Sequence, residues 1–422
     1  MNWMDATVCV ASIVATAATL RHVWRGGTTL NDHAVAAVVA GCLAVYPTMW
    51  LGGRLAGSAN TVLWGCCLLG VASIWVLFAV LDTRREQDRL RWAVMLSQVA
   101  YAYSLWLGLF VLLWWVVATI LWGVGAYHPT VTSFLWPWPL FLLAGGLATW
   151  GLSWTWWSRD TVRRVSLPTW HGARAFRVVQ LSDLHASPTT TGRDLRRTLG
   201  IARSLAPDLI VITGDLVMPF SERNHAFLLD ALAEVGLPMA VCPGNHDLPV
   251  ADVLAHELGA LGIHWLADER TVVSIDRGDH VLKVEVVGVD FVWKKLADHV
   301  DRVIDAMPRI DPVDGRLLLL HDPRGFPGVP AHRFDLVLCG HTHGGQVGTD
   351  MFGWPGSVLG AFGLYDQGYF EREGARMWVH RGNWHLGLPP RMGIGSEVLV
   401  VDFMPGGGSG TIGEAPRLAA DA

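Results

Sequence analysis

Asp183-Leu184-His185, Gly214-Asp215, Gly244-Asn245-His246-Asp247, His321-Asp322 and Gly340-His341-Thr342-His343 are the stretches of this chain whose side chains could do chemistry. Apart from Gly, Thr and Leu spacers they hold only Asp, His and Asn, and no Cys. Imidazole nitrogen and carboxylate oxygen are donors that borderline-hard divalent ions such as manganese, iron or zinc accept. One His beyond a strand is ordinarily structural, and one Asp there ordinarily caps a helix. Five such stretches in one chain make a metal centre the stronger reading. Two divalent ions about 3.5–4 Å apart can share a carboxylate and a hydroxide, clamp a phosphate, and stabilise both the attacking and the leaving oxygen.

The elements that must position these residues are short apolar runs. RVVQLS, DLIVIT, MAVCP, RLLLL and DLVLC each lead into one of the five stretches. Runs of this length and composition read as strands buried on both faces, with the polar residues just past their carboxyl ends. That is where an open α/β sheet places its chemistry. Helix-like segments fall at 192–205, 224–235, 249–262 and 293–307, and strand and helix alternate from 177 to about 262, which favours a largely parallel sheet there. TVVSID, VLKVEVVGV, RLLLL, DLVLC, MWVH and EVLVVDF are expected to supply a second set of strands.

In this order the motifs DxH, GD, GNHD, H and GHTH resemble those of the calcineurin-like metallophosphoesterase superfamily, over about residues 163–403. The continuation Gly344-Gly345-Gln346 resembles its membrane-associated bacterial branch. The resemblance implies an α/β sandwich of two sheets flanked by helices. It also implies a phosphoric ester hydrolase with two divalent metal ions, manganese, iron or zinc, acting through a metal-bridging hydroxide. By this likeness Asp183, His185 and His343 match the ligands of one metal, Asn245, His321 and His341 those of the other, and Asp215 the shared carboxylate. His246 matches the histidine that contacts the phosphate and protonates the leaving oxygen, oriented by Asp247; the other reading of Asp247 is a helix cap before Pro249. The expected substrate is a phosphate ester or pyrophosphate. Related UDP-diacylglucosamine hydrolases act on lipid-linked pyrophosphates, which brings a membrane lipid within the expected range. Arg381 and Arg391 are either phosphate contacts or ion-paired residues. The apolar stretch 347–362 is either a substrate-facing lip or core, and His385 departs from the glycine-rich turn of that branch.

The 422 residues divide into two unlike regions. Residues 1–160 carry 8 Arg and no Lys against 6 acidic residues, and 16 of the 22 Trp. Apolar runs at 6–20, 34–51, 61–81, 92–122 and 134–157 predict about five transmembrane helices within 1–157, since roughly 20 apolar residues cross a bilayer. Nine arginines fall in the loops assigned inside and one, Arg54, outside. The positive-inside rule then places the catalytic domain in the cytoplasm of a bacterial-type inner membrane. The spans contain no charged residue, as expected of an anchor rather than of a sensor or transporter-like protein with a regulatory phosphoesterase domain. Residues 158–175 are expected as linker and domain entry, 176–404 as the metallophosphoesterase domain, and 405–422 as a disordered tail. From 161 onward 24 basic face 31 acidic residues with no basic stripe, so nucleic acid is not an expected partner. The six cysteines show no zinc spacing and read as small buried hydrophobes.

Overall fold

The computed structural model describes residues 160–168, 174–186, 190, 192–217, 225–349, 356–384 and 391–405, with Leu143 and Gly146. Apart from Leu143 and Gly146, the predicted membrane spans lie outside the described residues, as do the tail from 406, His385, Met351, Phe352 and Trp354. Among the described residues no helix is long and apolar enough to cross a membrane. The chain divides into two units, Met1–Ser153 and Trp154–Ala422, and all the elements below belong to the second.

In chain order these are β1 (Thr161–Pro168), β2 (Phe176–Leu181), α1 (Gly192–Ser204), β3 (Leu209–Thr213), α2 (Ala226–Ala233), β4 (Met239–Cys242), α3 (Ala251–Ala260), β5 (His264–Trp265), β6 (Glu269–Asp276) and β7 (Val281–Val289). They continue with α4 (Leu296–Asp305), β8 (Gly315–Leu320), β9 (Leu336–Cys339), β10 (Gly348–Thr349), β11 (Gly356–Ser357), α5 (Val358–Ala361), β12 (Gly368–Arg372), β13 (Ala375–Val379) and β14 (Glu397–Met404). Two six-stranded mixed sheets result, ordered β1-β14-β2-β3-β4-β5 and β12-β13-β9-β8-β7-β6. The run β2-β3-β4-β5 is parallel throughout, as the strand–helix alternation predicts.

Side-chain alternation along each strand builds three apolar layers. Val178, Leu209, Val211, Leu317, Leu319 and Trp378 share the layer between the sheets. Their neighbours Val179, Ile210 and Ile212 turn to the other face of the first sheet, against Leu195 and Leu199 of α1, Leu228 of α2 and Leu254 of α3. On the outer face of the second sheet, Leu318 and Leu320 meet Val300 and Ile304 of α4. Phe176 and Phe403 stack at 4.5 Å in the central layer. A Cβ on Gly315 would come within 2.2 Å of the Phe176 ring, so the sheets close on that ring only because residue 315 is glycine.

The stretch 161–168, expected as linker, is instead the edge strand β1, paired in parallel with β14 along its whole length. Val165 and Leu167 point into the central layer, and Arg163 makes an ion pair with the buried Glu397 at 3.3 Å. Arg163 lies on the same face of β1 as Val165 and Leu167, and Arg164 on the exposed one.

Candidate metal centre

Every motif follows the carboxyl end of a strand: Asp183 and His185 that of β2, Asp215 of β3, Asn245, His246 and Asp247 of β4, His321 of β8, and His341 and His343 of β9. The chain turns sharply at these points, and Asp183, His185, Asp215, His341 and His343 all have positive φ, between 42° and 70°. For residues with a Cβ that conformation is disfavoured, and it persists where surrounding contacts impose it. The motif glycines permit the crowding. A Cβ on Gly244 would lie 2.2 Å from Asp215 Oδ1, and one on Gly340 1.9 Å from Ser182 Oγ.

Two groups of candidate ligands result, Asp183 with His185 and His343, and Asp215 with His321 and His341; one donor atom from each residue lies within 4.8 Å of the others in its group. Within the first, Asp183 Oδ1 is 3.2 Å from His343 Nε2 and 3.9 Å from His185 Nε2. Asp215 Oδ2 lies 3.3 Å from His321 Nε2 and 3.7 Å from His185 Nε2, and so faces both groups. Asn245 Oδ1 is buried without a hydrogen-bond partner.

Outer contacts set which nitrogen faces inward. His321 Nδ1 is 2.7 Å from the Thr213 carbonyl and His343 Nδ1 is 3.0 Å from that of Trp384. A carbonyl only accepts, so both Nδ1 atoms carry the proton and both Nε2 atoms offer lone pairs. Two pairs of imidazole nitrogens then crowd together, His185 Nε2 with His343 Nε2 at 3.0 Å and His341 Nδ1 with His321 Nε2 at 3.2 Å. Convergent lone pairs, a carboxylate in each group and an orphaned amide oxygen are what divalent cations would satisfy. The residues present therefore fit two ions.

The electrostatics agree. Burial opposes ionisation of Asp183, but the neighbouring imidazoles of His343, His321 and His185 hold it well below the usual carboxylate range. Burial alone would lower His321, yet the Asp215 carboxylate raises it to about 10. His341 moves the other way, pushed to about 4 by burial and by the charge on His321.

His246 stands beside this set, its ring 5.2 Å from that of His185, its backbone N–H donating to Asp215 Oδ1 at 2.9 Å, and its Nδ1 without a partner. Asp247 does not orient that ring. Its Oδ1 accepts from the N–H groups of Leu216 and Val217, and its Oδ2 from that of Gly244. Nor does its side chain cap the following turn. Asp247 instead ties the loop after β3 to the loop after β4. Burial and the Asp215 carboxylate push it up to about 7, against the pull of those donors.

Neither arginine is available to a phosphate. Arg391 is 2% exposed, and its Nη2 donates to the carbonyls of Arg381, Gly382 and Trp384 at 2.6, 3.0 and 2.5 Å. It therefore organises the loop whose Trp384 carbonyl holds His343. Arg381 is equally buried, 3.7 Å from Glu397 Oε2. In the stretch after the last motif Ser357 is buried, while Phe362 at its end is 77% exposed. Cys242 and Cys339 are free and buried, as expected.

A two-sheet sandwich that gathers two histidine–carboxylate groups along one set of strand ends defines a metal-dependent hydrolase. The family profile for calcineurin-like phosphoesterases matches residues 176–345. The chain is 26% identical over 249 residues to the uncharacterized metallophosphoesterase YkuE of Bacillus subtilis, covering 58% of this chain and 83% of that one. It is 29% identical over 189 residues to the phosphodiesterase YaeI of Escherichia coli, covering 43% and 66%. To a transmembrane protein with metallophosphoesterase domain from Danio rerio it is 28% identical over 243 residues, covering 53% of this chain and about half, 52%, of the relative. The chain carries a calcineurin-like metallophosphoesterase domain, a metal-dependent phosphoester hydrolase with residues for two divalent ions.

Proposed function

We propose that this chain is a membrane-anchored dinuclear phosphoesterase with a cytoplasmic catalytic domain, acting on a phosphate ester or pyrophosphate carried by a lipid. Asp183, His185 and His343 would hold one ion, Asn245, His321 and His341 the other, and Asp215 both. The observation that carries this reading is Asp215 Oδ2, facing His185 Nε2 at 3.7 Å and His321 Nε2 at 3.3 Å. When bound, the two ions supply Lewis-acid activation of water and neutralise the charge that develops on the phosphate. The chain's own residues do the rest. The Thr213 and Trp384 carbonyls hold His321 and His343 in one tautomer, and His246 carries the proton for the departing oxygen. Asp215→Asn, which weakens the shared position, should lose bound metal and turnover together; full activity in the metal-stripped variant would reject the mechanism.

The apolar runs of 1–157 and the arginine asymmetry of their loops support the membrane part of this reading, as does the Danio rerio relative's description as a transmembrane protein. One helix already suffices for effectively irreversible anchoring, so several suit an enzyme whose substrate lies in the membrane. Arg163 is paired with Glu397, which leaves Arg159 and Arg164 to favour an anionic surface. A reporter fused after Phe403 should be active only in the cytoplasm. In mixed micelles, hydrolysis of a lipid ester should follow its surface concentration. Removing residues 1–157 should lower that rate far more than the rate on a soluble chromogenic ester; equal losses would leave the lipid reading without support.

A further inference from the structure

Where β7 ends at Val289, the chain crosses the same row of strand ends that carries the ligands before entering α4. This crossing is held firmly. The Asp290 N–H donates to Asp268 Oδ1 at 2.9 Å, the Phe291 N–H donates to Asp290 Oδ1 at 2.8 Å, and Leu296 is buried against the second sheet. Phe291 is itself buried, with its ring centroid 6.1 Å from that of His321 and 6.0 Å from that of His341. Against Phe291, edge to face at 4.9 Å, stands Trp293, 66% exposed. Lys294 and Lys295, which follow it, are also exposed; they belong to the turn before α4, with Lys295 at φ 53°, rather than to a helix face.

A lone surface tryptophan needs no explanation. This one differs because Phe291 is a wall of the metal centre, and Trp293 continues that wall outward as an open aromatic surface on a fixed loop. A phosphoryl group at the two ligand groups would leave its organic substituent to be received at the rim. An indole receives a flat substituent well, through offset or edge-to-face ring contact. The adjacent lysines suit a substrate that carries negative charge beyond the reacting phosphate.

We infer that Trp293, seated on Phe291, is the specificity platform of this site: among phosphate diesters and pyrophosphates carried by a lipid on one side, it favours those whose other organic group is a planar ring, an aryl group or a nucleobase, over those in which that group is aliphatic. The inference rests on the dimetal reading above. Binding of phenylphosphonate and of methylphosphonate to the manganese-loaded full-length protein tests it without turnover, measured by calorimetry. The two ligands share the charged head and differ only in the ring. The wild type should prefer phenylphosphonate by about tenfold, as expected of one ring-on-ring contact. Trp293→Ala should abolish the preference and leave methylphosphonate binding unchanged, and Trp293→Phe should keep most of it. An undiminished preference in Trp293→Ala, no preference in the wild type, or equal weakening of both ligands would overturn the platform. Failure of the wild type to bind methylphosphonate would overturn the dimetal reading, and the platform with it.

Discussion

Among the motif residues, His246 and Asp247 stand side by side in sequence and do unrelated work. His246 has an unpartnered Nδ1 and its ring against His185. His246→Gln should therefore lower kcat by about 10²–10⁴-fold, the usual worth of a positioned proton donor, while the protein still titrates with two equivalents of manganese. Asp247 accepts from three backbone N–H groups. An amide offers only one accepting oxygen, so Asp247→Asn should cost about 1–3 kcal/mol of stability, read as a lower Tm of the metal-free protein. The ligand candidates were legible because each is a short stretch of donor residues after an apolar run. The task of Asp247 was not, because Leu216 and Val217 lie on another loop and meet it only once β3 and β4 pair. Phe291 and Trp293 were equally silent, since nothing in a sequence says that the end of β7 arrives beside His321.

Loops after strands position the chemistry, and they are braced from behind. Arg391 does this for the loop 381–384 through three carbonyls on one nitrogen. Arg391→Lys keeps the charge but loses the planar fork. The Trp384 carbonyl should then release His343, and manganese affinity should fall about 10–100-fold for one equivalent while the other is unchanged, in a two-site titration. Gly244→Ala should be more severe, because its Cβ would collide with the Asp215 carboxylate and with backbone, neither of which can yield. The central strands were plain in the sequence because they are apolar on both faces. β1 was hidden, because as an edge strand only Val165 and Leu167 of its inward side mark it, and Arg163 and Arg164 between them and the apolar N-terminal region read as linker.

At the scale of the molecule, the first sheet is completed by the most distant partner in the chain. β14 enters between β1 and β2, parallel to one and antiparallel to the other. Ending the chain before Glu397 should abolish cooperative unfolding in a thermal melt, since β1 loses its partner and β2 loses one of its two. That dependence has a consequence during synthesis. β1 and β2 are antiparallel to each other and separated by only seven residues, 169–175, so they are free to close directly into a hairpin. At about 5–20 residues per second, β14 leaves the ribosome on the order of ten to fifty seconds after β1. Over that interval the hairpin is the available pairing for β1 and for the edge of β2 that β3 does not take, and native assembly has to split it to admit β14. Nascent chains of this protein should therefore hold a local, wrongly closed ribbon that only their last strand can open.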